Sequence, residues 1–420
     1  MRPERRIVLH IGTEKTGTTS LQALLHANRE TLARHGVAYL STPGRAEARG
    51  LTAAVLDENL PDDYLRFLGV DGENARRVFR EKTLAEWRAQ LEGLPAHIHT
   101  VVVSSEHLHS RLRRPEELKR LADLLSPWGS EFRVVCYLRR QVDVMDSFYS
   151  TELKNGGTRT LLEAAGKMCR PGNHYFNYRQ VLELWGDVFG EETLCPRLFI
   201  RPTRQGDGVI EDFLSLLSID RAALSRPVRP RLNESLTPMG QALLRGLNQL
   251  AHRAGDEGRL AEDLQMLRRE VVRVFAGKGA TLPTEEARAL QSRFDEINGA
   301  LRERWFPDRE TLFAPLGKND DRQAGRRMDL SAKQLTLVSR ALNLSDALGE
   351  KANRFKGFDE CAVRLRDAAV ERETRDPAGA ASYMKLAARI RPKGAFIRQW
   401  LETNCPPMGF AARLRHLLGR

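Results

Sequence analysis

Short apolar runs alternate with helical patterns over about the first 220 residues. The first run extends from Ile7 to Ile11, and leucines at helical spacing begin at Leu21 after a turn. Further apolar runs predict strands at 37–40, 98–104, 132–138 and 193–200. The helices predicted between them cover 18–35, 115–126, 177–189 and 207–217. Strands separated by helices pair in parallel, so the pattern predicts an α/β fold in which helices flank a parallel sheet.

Beyond Pro227 the helical spacing continues and the strand signal is lost. The helical segments predicted there cover 237–253, 258–276, 284–304, 331–349, 351–372 and 376–403. We therefore divide the chain into an α/β core at 1–230 and a mostly helical region at 231–420, with a loop at about 306–330. Residues 51–95 form a helical insertion between core strands. Either the insertion covers an acceptor pocket or it only packs against the core.

The turn after the first strand has the composition of an anion site. Residues 12–20 read Gly-Thr-Glu-Lys-Thr-Gly-Thr-Thr-Ser. The N–H groups of such a turn converge at a helix N-terminus that favours phosphate, and Lys15 adds a full charge. An ATP-binding P-loop has its lysine where this chain has Thr18.

An arginine and a serine follow the strand predicted at 132–138. Arg139 comes directly after the strand, and Ser147 lies eight residues later, about two turns into the next helix. A guanidinium can hold a phosphate through two parallel hydrogen bonds, and a hydroxyl can add a third. Alone, the pair would fit a solvated arginine and a surface serine. Together with the Lys15 turn, it indicates a second phosphate site.

Both motifs resemble those of sulfotransferases that use 3′-phosphoadenosine-5′-phosphosulfate (PAPS). The turn resembles their 5′-phosphosulfate loop, and Arg139 and Ser147 have the spacing of the pair that holds the 3′-phosphate. The resemblance covers roughly residues 5–240, including Val102–Leu108, the unit at 177–217 and Arg231–Leu236. It implies a P-loop-like sheet, PAPS as donor, PAP as product, and transfer to a hydroxyl or amine without a metal.

The resemblance also implies roles for individual residues. Lys15 would neutralise the leaving oxygen, and Thr18, Thr19 and the turn amides would hold the 5′-phosphate. The expected donor-binding residues are Thr13, Glu14, Lys15, Thr16, Gly17, Thr18, Thr19, Arg139 and Ser147.

The acceptor needs a general base, and the family uses glutamate or histidine. Glu106 and His107 both follow the strand at 98–104. We favour Glu106, because neighbouring cations would keep a carboxylate ionised. His107 is the alternative, and His10 and His109 are lesser candidates, because a strand histidine is more often a core residue.

Composition narrows the choice of partners. The net charge of +12 favours anionic ligands: a nucleotide, an acidic saccharide or membrane headgroups, which leaves peripheral membrane association open. The basic residues are dispersed without an aromatic-basic module, which argues against nucleic acid. The chain has no apolar run of about 18 residues, and its first apolar stretch is too short for a secretory signal, so we expect a cytoplasmic protein.

The five cysteines are scattered without a CxxC pair, which indicates neither a disulfide framework nor a zinc site. From the resemblance we expect a bacterial-type sulfotransferase that needs no metal, and the basic charge favours a carbohydrate or glycolipid acceptor. A P-loop kinase or ATPase is one alternative, but it needs a lysine at position 18 and usually an acidic magnesium ligand. A non-catalytic anion-binding scaffold is the other. The oligomeric state cannot be read from the sequence.

Overall fold

Five parallel strands form one sheet. The computed structural model describes residues 4–199, 208–225, 235–255, 258–317 and 328–405. Its strands are β1 (Arg6–Gly12), β2 (Val37–Leu40), β3 (Thr100–Ser104), β4 (Glu131–Leu138) and β5 (Leu194–Leu198). Their order is β2-β3-β1-β4-β5, and all pairings are parallel. The predicted α/β fold, a parallel sheet flanked by helices with a helical C-terminal region, is confirmed.

The central strands are buried on both faces. Ile7, Leu9 and Val101 belong to one hydrophobic cluster, and Val8 and Val102 belong to the other. Successive strand residues point to opposite faces, so a strand covered on both sides reads as a continuous apolar run. Burying such a side chain contributes about 1.5–3 kcal/mol. The apolar runs therefore specify the middle of the sheet.

Helices connect the strands as the pattern predicts. Up to residue 216 they are α1 (Thr18–Ala27), α2 (Arg29–Arg34), α3 (Arg49–Val55), α4 (Asp63–Phe67), α5 (Glu73–Glu92), α6 (His107–Arg111), α7 (Pro115–Leu125), α8 (Gln141–Lys154), α9 (Leu161–Met168), α10 (Tyr178–Phe189) and α11 (Val209–Leu216). The insertion predicted at 51–95 is helical and comprises most of α3 together with α4 and α5.

The helix predicted at 18–35 is two helices divided at Asn28. The buried Asn28 amide donates to the carbonyl oxygens of Leu24 and Ser225, at 2.8 and 2.9 Å. A side chain that bonds its own backbone competes with helix continuation, which explains the break. Gly36, at φ +74°, ends the second helix as expected.

The remaining helices lie within or near the predicted segments, but the segments predicted at 284–304 and 376–403 are each two helices. They are α12 (Pro238–Ala254), α13 (Arg259–Val274), α14 (Thr284–Gln291), α15 (Asp295–Trp305), α16 (Ala332–Ala347), α17 (Lys356–Arg372), α18 (Pro377–Ile390) and α19 (Ala395–Asn404). Residues 200, 207, 231–234 and 318–327, which several predictions include, lie outside the described residues. Within the described ranges, every helix is too short or too polar to cross a membrane.

The chain divides into two compact units. The first comprises Met1–Val144, Lys167–Pro230 and Arg288–Leu316, and the second comprises Met145–Gly166, Arg231–Ala287 and Gly317–Arg420. A single boundary at residue 230 does not describe this division, because residues 145–166 belong to the second unit and residues 288–316 belong to the first.

Contacts between residues distant in the sequence explain both departures. The Gln141 amide donates to Asn298 Oδ1 at 2.8 Å, which ties the segment at 288–316 to the first unit. The Asn248 amide donates to the Leu153 carbonyl oxygen at 2.8 Å, which ties the end of α8 to the second unit.

Candidate functional site

The loop between β1 and α1 has the backbone of an anion cradle. Gly12, Lys15 and Gly17 have φ values of +112°, +66° and +82°. A positive φ is uncommon for a residue with a side chain, so the conformation of Lys15 is a feature of the loop. Gly17 precedes α1, and no side chain caps that helix terminus. The first N–H groups of a helix lack intrahelical partners, so this terminus can receive an anion.

The loop is attached to the end of β4. The Thr13 backbone N–H and hydroxyl both donate to the Tyr137 carbonyl oxygen, at 3.2 and 3.0 Å. The Thr16 hydroxyl donates to the Thr13 carbonyl oxygen within the loop. Thr13, Thr16 and Thr18 are buried, whereas Thr19 is exposed. Buried threonines thus stabilise the turn, which gives Thr13 and Thr16 a structural task beside the predicted binding role.

Lys15 lies among the other charged residues of the site. Burial lowers the pKa of its ammonium group, Glu14 and Glu106 oppose the shift, and Arg139 adds to it. These four side chains lie on three neighbouring strand ends. The loop after β1 is therefore next to the ends of β3 and β4, as expected for the carboxyl edge of a parallel sheet.

Arg139 contacts the loop between β1 and α1 directly. Its Nη1 donates to the Lys15 carbonyl oxygen at 2.6 Å, and its guanidinium carbon lies 5.0 Å from the centroid of the Phe199 ring. The Tyr178 hydroxyl donates to the Arg139 carbonyl oxygen at 2.7 Å. The structure therefore brings the two predicted motifs together at Arg139. Ser147 is half-buried near the end of the second turn of α8, the place that its spacing predicts.

Glu106 follows β3 and faces the same loop. Its Oε2 accepts a hydrogen bond from Gln22 Nε2 at 2.7 Å. A Cβ added to Gly12 would lie 3.2 Å from Glu106 Cα, so glycine allows the close approach as well as the positive φ. Glu106 is thus the candidate base that touches the loop between β1 and α1.

His107 points toward a different carboxylate. Its Nε2 lies 3.9 Å from Glu47 Oε2, and 21% of its side chain is exposed. Burial lowers the pKa of the imidazole, Glu106 opposes the shift, and Arg49 adds to it. His107 is therefore neutral at neutral pH and remains chemically able to accept a proton.

The two lesser histidine candidates are core residues. His10 and His109 are fully buried, and burial lowers their pKa values to about 4 and about 3. His10 Nδ1 lies 2.7 Å from the Ser104 hydroxyl, and the ring packs against Tyr137 and Phe213. Neither imidazole is accessible to an acceptor.

The comparisons with known proteins are sparse. No protein-family model matches this chain. An uncharacterized protein of Archaeoglobus fulgidus is 30% identical over 117 residues, which are 28% of this chain and 30% of that protein. The chain thus spans less than a third of this relative's length. A sulfotransferase from Alicyclobacillus acidocaldarius is a structural neighbour, 18% identical, with a TM-score of 0.33 over 55% of this chain and 86% of that one. A TM-score this low supports no argument about this chain. The fold and the site are therefore described from this chain's own residues.

Three residues of the site escape the sequence patterns. Glu47 comes from the loop after β2, and its Oε2 accepts from the Ser105 hydroxyl at 3.3 Å. The Tyr175 hydroxyl donates to Glu14 Oε2 at 3.1 Å, and Gln22 contacts Glu106 as described above. Glu47 and Tyr175 lie in segments without a motif, so only their distance from the loop in space identifies them. For Gln22, the one signal was a polar residue beside the apolar stripe of α1.

Glu47, Glu106 and His107 form a cluster that the sequence spacing did not reveal. One ligand atom from each lies within 4.8 Å of the others, a separation that could suit a metal ion. Burial and Glu106 raise the pKa of Glu47 to about 7, against the opposing effect of Arg49 and Arg45. Burial and the neighbouring carboxylate thus favour the protonated form of Glu47. The cluster can therefore hold a proton or a cation.

Proposed function

We propose that this chain is a sulfotransferase that moves the sulfuryl group of PAPS to a hydroxyl or amine. The observation that carries the proposal is the contact of Arg139 with Lys15, 2.6 Å from Nη1 to the carbonyl oxygen. This contact joins the Lys15 loop, which is suited to bind one phosphate, to the Arg139 guanidinium, which is suited to bind a second. PAPS carries a phosphosulfate and a separate 3′-phosphate, whereas ATP lacks the 3′-phosphate.

The loop between β1 and α1, the donor loop, would bind the 5′-phosphosulfate. The turn amides, the first turn of α1 and Thr18 hold the phosphate, and Thr19 lies exposed beside them. Negative charge develops on the bridging oxygen as the sulfur–oxygen bond breaks, and the Lys15 ammonium stabilises it. Arg139 would bind the 3′-phosphate through two parallel hydrogen bonds. The role of Ser147 at that phosphate remains a prediction from its spacing.

Glu106 would act as the general base. Its carboxylate is within electrostatic range of Lys15, whereas His107 faces Glu47. The acceptor oxygen or nitrogen attacks the sulfur, its proton passes to Glu106, and PAP leaves with the electrons of the broken bond. General-base assistance is worth about 10²–10⁴ in rate.

The acceptor we propose is a carbohydrate or glycolipid that is sulfated in the cytoplasm. The net charge of +12 supports an acidic or membrane-associated acceptor. The insertion lies beside the candidate base: the Arg49 guanidinium bonds both Asp62 carboxylate oxygens at 2.7 and 2.8 Å, and Arg111 Nη2 donates to Asp63 at 2.8 Å. Since Arg111 lies in the helix that begins at His107, these ion pairs hold α4 near the site.

A metal-dependent phosphotransferase is the second candidate, because the Glu47, Glu106 and His107 cluster could hold Mg²⁺. Calorimetric titration with PAP, and with ATP in the presence of Mg²⁺, separates the two. Sulfotransferase function predicts tight binding of PAP, weak binding of ATP and transfer of radiolabelled sulfate from PAPS. Tighter binding of Mg·ATP than of PAP would contradict the sulfotransferase proposal and favour a kinase. Binding of PAP without transfer to any of a panel of acceptors would favour a scaffold.

A further inference from the structure

Gln22 lies on the buried side of the helix that begins at the donor loop. It is the fifth residue of α1, and 4% of it is exposed. Its Nε2 lies 2.7 Å from Glu106 Oε2 and 3.3 Å from the Ser104 hydroxyl oxygen. The two N–H bonds of one amide nitrogen are thus both directed at polar atoms near the end of β3.

The Ser104 hydroxyl anchors this arrangement. Ser104 is fully buried, and its Oγ lies 2.7 Å from His10 Nδ1 on the neighbouring strand β1. Rotation of the Gln22 amide would break the hydrogen bonds to both Ser104 and Glu106. Because a buried polar group left without a partner is destabilising, the amide orientation is well determined.

The Gln22 amide suits both contacts. The Glu106 carboxylate is a hydrogen-bond acceptor and needs a donor, and a hydrogen bond to an ionised group is about twice as strong as a neutral one. A glutamate at position 22 would repel Glu106, and a methionine would fill the same space without donating. The glutamine therefore directs one carboxylate oxygen and leaves the other available.

We propose that Gln22 is the positioning residue for Glu106, an inference that rests on the proposed function with Glu106 as base. Thr18 begins α1 inside the donor loop, and Gln22 lies about one helical turn further on the same helix. One rigid helix, α1, therefore positions both the bound sulfuryl group and the base. A misplacement of about 1 Å can reduce a rate by about 10².

The test is a double-mutant cycle with Gln22→Met and Glu106→Gln, assayed as sulfate transfer from PAPS. We expect Gln22→Met to lower kcat by about tenfold or more and to leave the KM for PAPS and the Kd of PAP within about twofold. In the Glu106→Gln background it should cause no further loss, since the group it positions is already gone. Gln180→Met, the same change at an exposed position of α10, is the matched control.

Three results would overturn the inference: an unchanged kcat in Gln22→Met, an equal fold-loss in the Glu106→Gln background, or a fully active Glu106→Gln enzyme. Gln22→Asn tests the same point if the methionine variant does not fold. It keeps the amide but ends about 1.5 Å short of Glu106, so kcat should again fall while PAP binding persists. Failure of the wild-type chain to bind PAP would instead refute the proposed function.

Discussion

Arg139 Nη1 lies 2.6 Å from the carbonyl oxygen of Lys15, so a residue at the end of β4 bonds the loop that follows β1. The two strands are neighbours in the sheet, and their ends place a guanidinium and an ammonium together. Burial and Arg139 disfavour the charged form of Lys15, and Glu14 and Glu106 favour it. An anionic ligand with two separate charged groups would pair with both cations.

Lys15→Ala should reduce turnover far more than the affinity for PAP. Lys15 acts on charge that develops during transfer, so its loss raises the barrier more than it weakens ground-state binding. We expect kcat to fall by about 10² or more, with PAP binding changed only a few-fold. Lys119→Ala, at an exposed site on α7, is the control for the loss of one positive charge. Equal losses in rate and binding would assign Lys15 a uniform binding role instead.

Arg139→Ala should weaken PAP much more than adenosine 5′-phosphosulfate, which has no 3′-phosphate. Loss of the charged partner should reduce binding of PAP by about 2–5 kcal/mol, as measured by calorimetry. Arg133→Ala, at an exposed position of the same strand, should leave both ligands unaffected. Similar losses for the two ligands would show that Arg139 does not bind the 3′-phosphate.

The general base can be identified from paired substitutions. Glu106→Gln should lower the rate of transfer by about 10²–10⁴ while PAP still binds, because the amide keeps the shape and loses the basicity. His107→Asn should retain much of the rate. If the pattern is reversed, His107 is the base, and activity should then decline only below the ordinary imidazole value of about 6.5, because its pKa is lowered. Full activity in both variants would show that neither residue is the base. The insertion at 51–95 would then be the next segment to test.

Sulfate transfer should persist after treatment with EDTA, because we propose that Glu47, whose pKa is raised to about 7, binds a proton and that the cluster does not hold a cation. The measurement is the PAPS-dependent rate before and after chelation, with and without added Mg²⁺. A strict requirement for Mg²⁺ would assign the Glu47, Glu106 and His107 cluster to a metal and favour the kinase alternative.

The raised pKa of Glu47 should make the free energy of unfolding decrease as pH rises. Its pKa increases from an ordinary value of 4.5 to about 7 in the folded state. Between these values the folded chain binds more protons than the unfolded chain, so this group destabilises the fold progressively as pH rises. The Tm of Glu47→Gln minus that of the wild type should therefore grow from about pH 4.5 to about pH 7. Thermal unfolding in EDTA checks this, and a constant difference would contradict it.

Much of the fold could be predicted from local patterns. The runs at 37–40 and 132–138 became β2 and β4, because a strand buried on both faces must be continuously apolar. Pro115 begins α7, and Gly36 ends α2, because the backbone restrictions of proline and glycine act locally. The Lys15 loop was recognisable for the same reason: its residues are contiguous and its chemistry depends on their order.

The tertiary structure decided which distant residues join that loop. Gln22, Glu47 and Tyr175 come from a helix and two loops, and the sequence around them does not indicate which side chains they contact. The division into units was equally hidden, since the Asn248 bond to Leu153 joins α12 to α8. Local patterns determine which segments are strands and helices, because they depend on near neighbours. Strand order and burial determine which side chains meet, because they depend on how the whole sheet packs.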